Sequence, residues 1–377
     1  MSLVCDQNKC AGCMACIDIC PKSCITIKDG LEHMNAVIDD DVCIHCNACH
    51  QVCQQQHPST FHATVESCQG WAQEEIRDIA SSGGFATAII LAFIKNGGVV
   101  AACHFENGEF TFSIIHAKDD ISRYTGSKYV KSDPSGIYKS IASELRNGKK
   151  VLFIGLPCQV SSLINYITLR AKAYRDSLFT IDLICHGTPS VKILQKALQE
   201  YGYSLEKVNE IYFRRNTMFG LRTDIKNITR PGVVDRYLTA FLKGGIYTAN
   251  CYSCHYARKE RVSDITLGDS WGTELKNEEN KGISLALIQT EKGKELLAMT
   301  NVKCLPVDYD NAVRYNHQLQ YPSIMTKEHD IIFNRVLKGK SFRSSVLFAY
   351  PSYCIKQDVK NVLTSIKLIR GGIISTK

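Results

Sequence analysis

Cys10-Ala11-Gly12-Cys13-Met14-Ala15-Cys16-Ile17-Asp18-Ile19-Cys20-Pro21 and, further on, Cys43-Ile44-His45-Cys46-Asn47-Ala48-Cys49-His50-Gln51-Val52-Cys53 repeat one spacing, C-x2-C-x2-C-x3-C. In such a run the first three thiolates reach three corners of one 4Fe-4S cubane, and the fourth lies too far along the chain and ligates the partner cluster. The spacing therefore assigns one cluster to Cys10, Cys13, Cys16 and Cys53, and a second to Cys43, Cys46, Cys49 and Cys20. Structural zinc is the competing reading of C-x2-C pairs. Zinc takes pairs of cysteines, and two runs of four at this spacing do not suit it.

Between the runs, Cys24-Ile25-Thr26-Ile27 and Ala36-Val37-Ile38 read as short strands around a turn at Asp29-Gly30. Residues 1–57 are thus expected to form a pseudo-symmetric, α+β ferredoxin-like module. One departure is visible: Pro21 follows Cys20, whereas Gln54 follows Cys53. Cys5, Cys24 and Cys68 lie outside the pattern and read as small packing residues, as do Cys304 and Cys354, which have no partner spacing.

A chain of 377 residues exceeds one ordinary core, so a larger body is expected behind the module. Residues 54–62, polar and containing Pro58, read as a connector in which His57 and His62 are solvated. Ser81-Ser82-Gly83-Gly84 then precedes an apolar helical run from Phe85 to Lys95 that ends at Gly97-Gly98. Two readings fit that turn, a plain N-cap and a set of free backbone N–H groups holding a phosphate or flavin edge. Beyond it the strand V-V-A-A-C, a helix near Ile137 to Arg146, the strand V-L-F-I-G, a helix after Cys158 and the strand F-T-I-D-L-I-C alternate. That pattern predicts an α/β body with a mixed or parallel sheet and its sites at strand ends. Two strand ends carry Cys158 and Cys185, and Cys251-Tyr252-Ser253-Cys254 follows far along the chain. Read separately these are packed thiols, a zinc pair or a redox dithiol; together they number four, the ligand count of one more cubane.

Taken as a set, Ser81 to Gly84, Gly126-Ser127-Lys128-Tyr129-Val130-Lys131-Ser132, Gly155-Leu156-Pro157-Cys158-Gln159, Cys185-His186-Gly187-Thr188-Pro189-Ser190, Phe213-Arg214, Cys251 to Cys254 and Asp264 to Gly272 resemble the β subunit of coenzyme F420 hydrogenase and its relatives. The resemblance runs from about Ile76 into the low three hundreds, where G-I-S-L-A-L-I and E-K-G-K-E also fit. It implies a domain pair fused behind the ferredoxin module, with boundaries at 1–57, 58–150, 151–345 and a tail over 346–377. It also implies FAD in the body beside a third 4Fe-4S cluster on Cys158, Cys185, Cys251 and Cys254. Ser82, Gly83, Gly84, Lys128, Tyr129, Asp264 and Asp269 are then the expected cofactor neighbours. Lys128 and His186 are the expected catalytic side chains, although His186 beside a ligand also suits tuning of the cluster through a hydrogen bond. Asp264 and Asp269 suit turn and cap roles as well, and Arg214 suits either an anionic group or a strand-end charge.

The formal charge of +8 suggests nucleic acid, but it counts every cysteine as neutral. Each loaded cubane removes about two charges, so three leave roughly +2 and no basic patch. Nucleic acid is therefore not an expected partner. No stretch approaches the ~18 apolar residues of a membrane span, and the cysteine motif at Cys5 and Cys10 stands where a signal peptide would carry its basic and apolar regions. Eighteen cysteines without an export signal read as metal ligands in a reducing, cytoplasmic compartment.

Expected partners are an electron donor or acceptor protein, such as ferredoxin or a partner enzyme, and a two-electron small-molecule substrate. Three functions compete: a flavin-dependent oxidoreductase; an electron-transfer subunit serving a partner enzyme, by association one of polysaccharide biosynthesis; and a non-catalytic redox sensor. The tail from Asp358 has spaced apolar residues and several lysines, suiting a helix packed on the body or a surface for a partner or membrane.

Overall fold

The computed structural model describes residues 1–116, 118–215, 217–225 and 227–369; residues 370–377 of the expected tail lie outside the described residues. The N-terminal module is a three-stranded antiparallel sheet in which β3 (Met34–Ile38) lies between β1 (Ser2–Leu3) and β2 (Ile25–Asp29). Two five-residue helices, α1 (Ala15–Ile19) and α2 (Ala48–Val52), pack together and carry the cysteine runs. The runs fold alike. Met14 (φ 60°, ψ 2°) and Asn47 (61°, 6°) start the helices in the left-handed region, and Cys20 (−70°, 117°) and Cys53 (−67°, 114°) close them. Replacement of the second proline by Gln54 leaves that turn unchanged.

The body is one eight-stranded mixed sheet. Its strands are β4 (Glu66–Trp71), β5 (Val99–Glu106), β6 (Glu109–Ile115), β7 (Val151–Gly155), β8 (Leu178–Leu183), β11 (Ile265–Asp269), β12 (Ser284–Ile288) and β13 (Lys303–Leu305), with β9 (Ile211–Arg215) and β10 (Met218–Thr223) forming a separate hairpin. Across the sheet the order is β13-β4-β12-β11-β8-β7-β5-β6, and β11, β8, β7 and β5 run parallel. All of β7 is buried, as a parallel strand covered on both faces requires. Strands on either side of residue 150 pair directly, Val99 with Val151, so the two body segments form one layer.

Alternation along these strands divides the core. Val151 and Phe153 face α5 (Ile137–Arg146) and α6 (Pro157–Arg170), whereas Leu152 and Ile154 face α4 (Phe85–Lys95), which follows the short helix α3 (Glu74–Ile79). Each such side chain contributes about 1.5–3 kcal/mol by leaving water. The N-terminal module packs on the outer side of α5 and α6 and shares their apolar core. Asp18 fixes the arrangement by accepting from the N–H groups of Gly136 (2.6 Å) and Tyr138 (3.1 Å), which are free donors at the start of α5. The connector is not a loose linker. Gln54 is buried, its carbonyl accepts from the Tyr256 hydroxyl, the Ser59 N–H donates to Ser161 Oγ, and His62 pairs in a β-bridge with Arg261. At the other end the helix Pro351–Ser365 lies on the body, with Cys354 and Gln357 buried and Gln357 Oε1 accepting from the Val234 N–H at 3.0 Å.

Candidate functional site

In the N-terminal module, Cys10, Cys13, Cys16 and Cys53 line one small closed cavity, the four ligands that the spacing assigns to one cluster. Gly12 N–H donates to Cys10 Sγ at 3.4 Å, and the symmetry-related His45 N–H donates to Cys43 Sγ at 3.4 Å. Gly12 (φ 66°) and His45 (φ 52°) both adopt the left-handed backbone that turns these N–H groups toward sulfur. Cys5 and Cys24, read as packing residues, stand against the ligands. The Cys24 thiol is 3.4 Å from Cys20 Sγ, and Cys5 lines the same cavity as Cys10 and Cys53.

The four body cysteines come from three separated stretches. Cys158 sits in the first turn of α6, just beyond the carboxyl end of β7; Cys185 follows the carboxyl end of β8; Cys251 lies within a short 3-10 turn at Ala249–Ser253 and Cys254 directly follows it. Parallel pairing of β7 and β8 brings the first two to one edge of the sheet. Burial pushes the Cys185 thiol up to about 12, with Cys251 and Cys254 adding to it, and pushes Cys254 up to about 11, with Cys251 adding. Burial also raises Cys158 well above the usual thiol range, and Cys254, Cys185 and then Cys13 raise it further. The four thiols therefore sense one another, and through Cys13 they sense the first ferredoxin site. Cys251 Sγ also accepts from the Thr188 N–H at 3.4 Å and from Asn250 Nδ2 at 3.7 Å.

Such a half-buried cluster of thiols suits a metal centre that deprotonates them. Among the described residues no three or more His, Cys, Asp or Glu converge on a single metal ion. A zinc tetrahedron draws four donors to about 2.0–2.3 Å from one ion. A cubane instead takes each thiolate at a different iron, and four thiols from three stretches match its ligand count.

Beside Cys185 a cavity of about 280 Å³ opens at the carboxyl ends of β7, β8 and β11. Ser82, Gly84, Lys128, Tyr129, His186 and Asp269 line it, together with Ser81, Cys103, Gln159, Arg214, Trp271 and Asn316. The N-termini of α4 and α6 both meet this cavity, through Gly84 and Phe85 and through Leu156. Lys128 Nζ donates to the Thr125 carbonyl at 2.9 Å, and burial lowers its pKa against a smaller opposing effect of Cys103. His186 lines the cavity with its side chain exposed, and the surrounding protein and then the neighbouring His317 lower its pKa. Tyr129 stacks on Phe241 with ring centroids 4.6 Å apart.

Asp269 is held by two bonds from Arg214, 2.5 Å from Nη1 and 2.8 Å from Nη2. Arg214 is buried between Phe219 and Trp271, so the strand-end charge is not solvated. Two expected cofactor neighbours fall elsewhere. Asp264 precedes β11, at the end of the strand opposite Asp269, and its carboxylate is consumed by Thr180 N–H (2.8 Å), Thr180 Oγ1 (2.7 Å) and Thr290 Oγ1 (2.7 Å). Gly83 is packed backbone to backbone, where a Cβ would lie 2.3 Å from the Gly70 carbonyl oxygen and 2.5 Å from the Ser284 nitrogen.

Sequence reasoning missed Lys131. Its Nζ is buried and donates to the Ala11 carbonyl at 2.9 Å, inside the first cysteine run. Its charge acts on Cys10 and also on Cys158 and Cys185, which places it between the first ferredoxin site and the body cysteines. The signal available in sequence is the G-S-K-Y-V-K-S stretch, which holds Lys131 three residues beyond Lys128.

Residues 68–137 match the model for the coenzyme F420 hydrogenase/dehydrogenase beta subunit N-terminus, and residues 148–307 match that for its C-terminus. The chain belongs to the coenzyme F420 hydrogenase/dehydrogenase beta subunit family. In this member the two beta-subunit segments follow a 4Fe-4S dicluster domain matched over residues 9–56.

Two curated relatives, both from Methanocaldococcus jannaschii, are an uncharacterized protein and the coenzyme F420-dependent sulfite reductase. The first is 25% identical over 235 residues, 52% of this chain and 64% of the relative; the second is 22% identical over 315 residues, 79% of this chain and 47% of the relative. The chain thus spans about half to two-thirds of the curated relatives it matches. Among solved structures, a chain of the xenon-derivatized F420-reducing [NiFe] hydrogenase complex from Methanosarcina barkeri shares the fold. Its TM-score is 0.50 at 20% identity, covering 75% of this chain and 96% of that one. No helix among the described residues is long and apolar enough to cross a membrane.

Proposed function

We propose that this protein is an iron-sulfur flavoprotein oxidoreductase that moves electrons between three 4Fe-4S clusters and a two-electron substrate through FAD, with a deazaflavin of the F420 type the first substrate to test. The observation that carries the reading is the meeting, at the carboxyl edge of one sheet, of four body cysteines and a cavity bearing two helix N-termini. Cys13 of the first ferredoxin site lies within electrostatic reach of Cys158. A flavin, when bound, supplies the exchange between one-electron and two-electron chemistry.

The chain's own residues prepare that exchange. The N–H groups at the start of α4 favour the anionic pyrophosphate of a dinucleotide, whereas at α6 Pro157 has no N–H and the Leu156 N–H is donated to Gln159 Oε1 at 2.9 Å. Ser81 Oγ accepts from the Ser127 N–H at 2.8 Å and so joins the loop before α4 to the loop carrying Lys128 and Tyr129. Arg214 holds Asp269 at the wall in a fixed orientation, and Tyr129, Phe241 and Trp271 give the cavity aromatic surface. Lys128, whose ammonium is disfavoured by burial, is the side chain proposed to deliver or accept a proton there. The electron-transfer-subunit reading is favoured by one specific observation, the surface position of Cys46, taken up below.

Iron, sulfide and flavin are to be measured per chain on protein purified without oxygen. About twelve irons and one FAD are expected. About eight irons and no flavin after reconstitution overturn the body site and leave a ferredoxin module on a body of another purpose.

A further inference from the structure

The two ferredoxin sites are not equally placed. Of the first set, Cys10, Cys16 and Cys53 are buried and Cys13 is partly covered, and the site faces α5, α6 and Lys131. The second set includes Cys46, which is exposed, with Cys43 and Cys20 only partly covered. The loop that carries Cys43 and Cys46 turns apolar side chains to water instead of burying them. Val42 is 47% and Ile44 54% exposed. Beside them Asp39, Asp40 and Asp41 form an exposed carboxylate rim. Asp40 is taken up by the amine of Met1 at 2.6 Å and by Ser2 Oγ at 2.7 Å. Lys22, two residues beyond Cys20, is an exposed cation of the same module, and His45 is exposed on the loop itself. A loaded cubane on these four cysteines adds about two negative charges to the same face.

Exposed apolar residues over a redox centre, ringed by charge, are the physical requirements of a transient electron-transfer interface. The apolar centre excludes water at short range, while the charge steers encounter. The sign selects the partner: another acidic carrier is repelled, and a basic rim is attracted.

From this geometry we propose that the loop Asp39–Asn47 is the protein's electron port, docking a one-electron redox protein that presents an apolar centre and a basic rim. The proposal rests on the cluster-relay reading and gives it an order. The second ferredoxin site is the outer station, the first the inner one, and the body cysteines with the cavity the far end. Electron flow in either direction uses the same port.

The test uses the full holoprotein, reduced photochemically and shown by iron analysis and EPR to carry its clusters, so failure of the relay reading appears at that step. The probe is a basic c-type cytochrome: one electron leaves the protein and one haem Fe(III) becomes Fe(II). Reduction is followed by stopped flow at about 20 mM and about 300 mM salt, where the screening length differs about fourfold. The Asp39→Lys/Asp41→Lys protein is compared with Glu75→Lys/Asp78→Lys, an equal charge change at exposed positions of the body.

At low salt the port variant is expected to reduce the cytochrome about tenfold more slowly than wild type, with the difference vanishing at high salt and the body variant unaffected. Val42→Ser/Ile44→Ser is expected to slow the reaction at both salt concentrations and to weaken cytochrome binding to immobilised holoprotein, with EPR signals unchanged. An acidic rubredoxin is expected to react more slowly than the cytochrome and to gain from the lysine pair. Equal rates in wild type and port variant, or equal losses in port and body variants, overturn the port.

Discussion

Cys158→Ala separates a body cluster from every other reading of the four cysteines. Cys158 occupies the first turn of α6 behind Pro157, where alanine is the best helix former and needs no hydrogen-bond partner. Its thiol is only partly covered, so its removal costs on the order of 1 kcal/mol, too little to unfold the body. The iron change, by contrast, is stepwise. Twelve candidate ligands in three sets of four hold about twelve irons, and the loss of one ligand of the third set leaves about eight. Cys46→Ala also brings the count to about eight but removes a ferredoxin cluster.

Iron alone therefore does not distinguish the two variants, and EPR of the dithionite-reduced proteins does. Cys158→Ala keeps the magnetic coupling between the two neighbouring ferredoxin clusters, and Cys46→Ala abolishes it. Zinc is measured on the same samples. A wild-type chain holding about eight irons and one zinc, with the zinc lost in Cys158→Ala, refutes the third cubane. Unchanged iron in Cys158→Ala refutes the assignment of Cys158 as a ligand.

Three further outcomes follow from contacts in the structure. Lys131→Met removes the buried cation between Cys10 and the body cysteines, so redox titration by EPR is expected to give more negative potentials, by on the order of 50 mV, with Lys131→Arg recovering part of the shift. Arg214→Met leaves Asp269 without its two charged bonds in a mostly buried position; the urea midpoint of the metal-free protein is expected to fall by the equivalent of about 3 kcal/mol, and an unchanged midpoint contradicts the pair's role. Gly187 has φ 135°, and a Cβ there would lie 2.4 Å from the Tyr247 ring, so Gly187→Ala is expected to lower occupancy of the body cluster while sparing the two ferredoxin clusters, as read by iron content and EPR.

The ferredoxin module was legible because its chemistry is local. Three ligands of each cluster lie within seven residues, and the spacing states which thiol crosses to the partner. The apolar run Phe85–Lys95 and the helix read near Ile137 to Arg146 are likewise found where the sequence puts them, since glycines and apolar periodicity bound them. Asp264 was misplaced for the opposite reason. A carboxylate at the start of a strand and one at its end look alike in sequence, and only the parallel pairing of β8 and β11 puts Asp269 at the cavity and Asp264 at the far edge.

From its sequence alone this protein declares two cubane sites, an α/β body and four further cysteines in three separated stretches, because ligand spacing and strand or helix period are properties of neighbouring residues. Tertiary structure alone decides that those four thiols sense one another, that Lys131 reaches back to Ala11, that the connector is pinned through Gln54, Ser59 and His62, and that three of the first four ferredoxin cysteines are buried while the second set carries the exposed Cys46. These are contacts between residues up to about two hundred positions apart, set by how the module seats on α5 and α6 and by the order of strands in the sheet, and no local pattern carries that information.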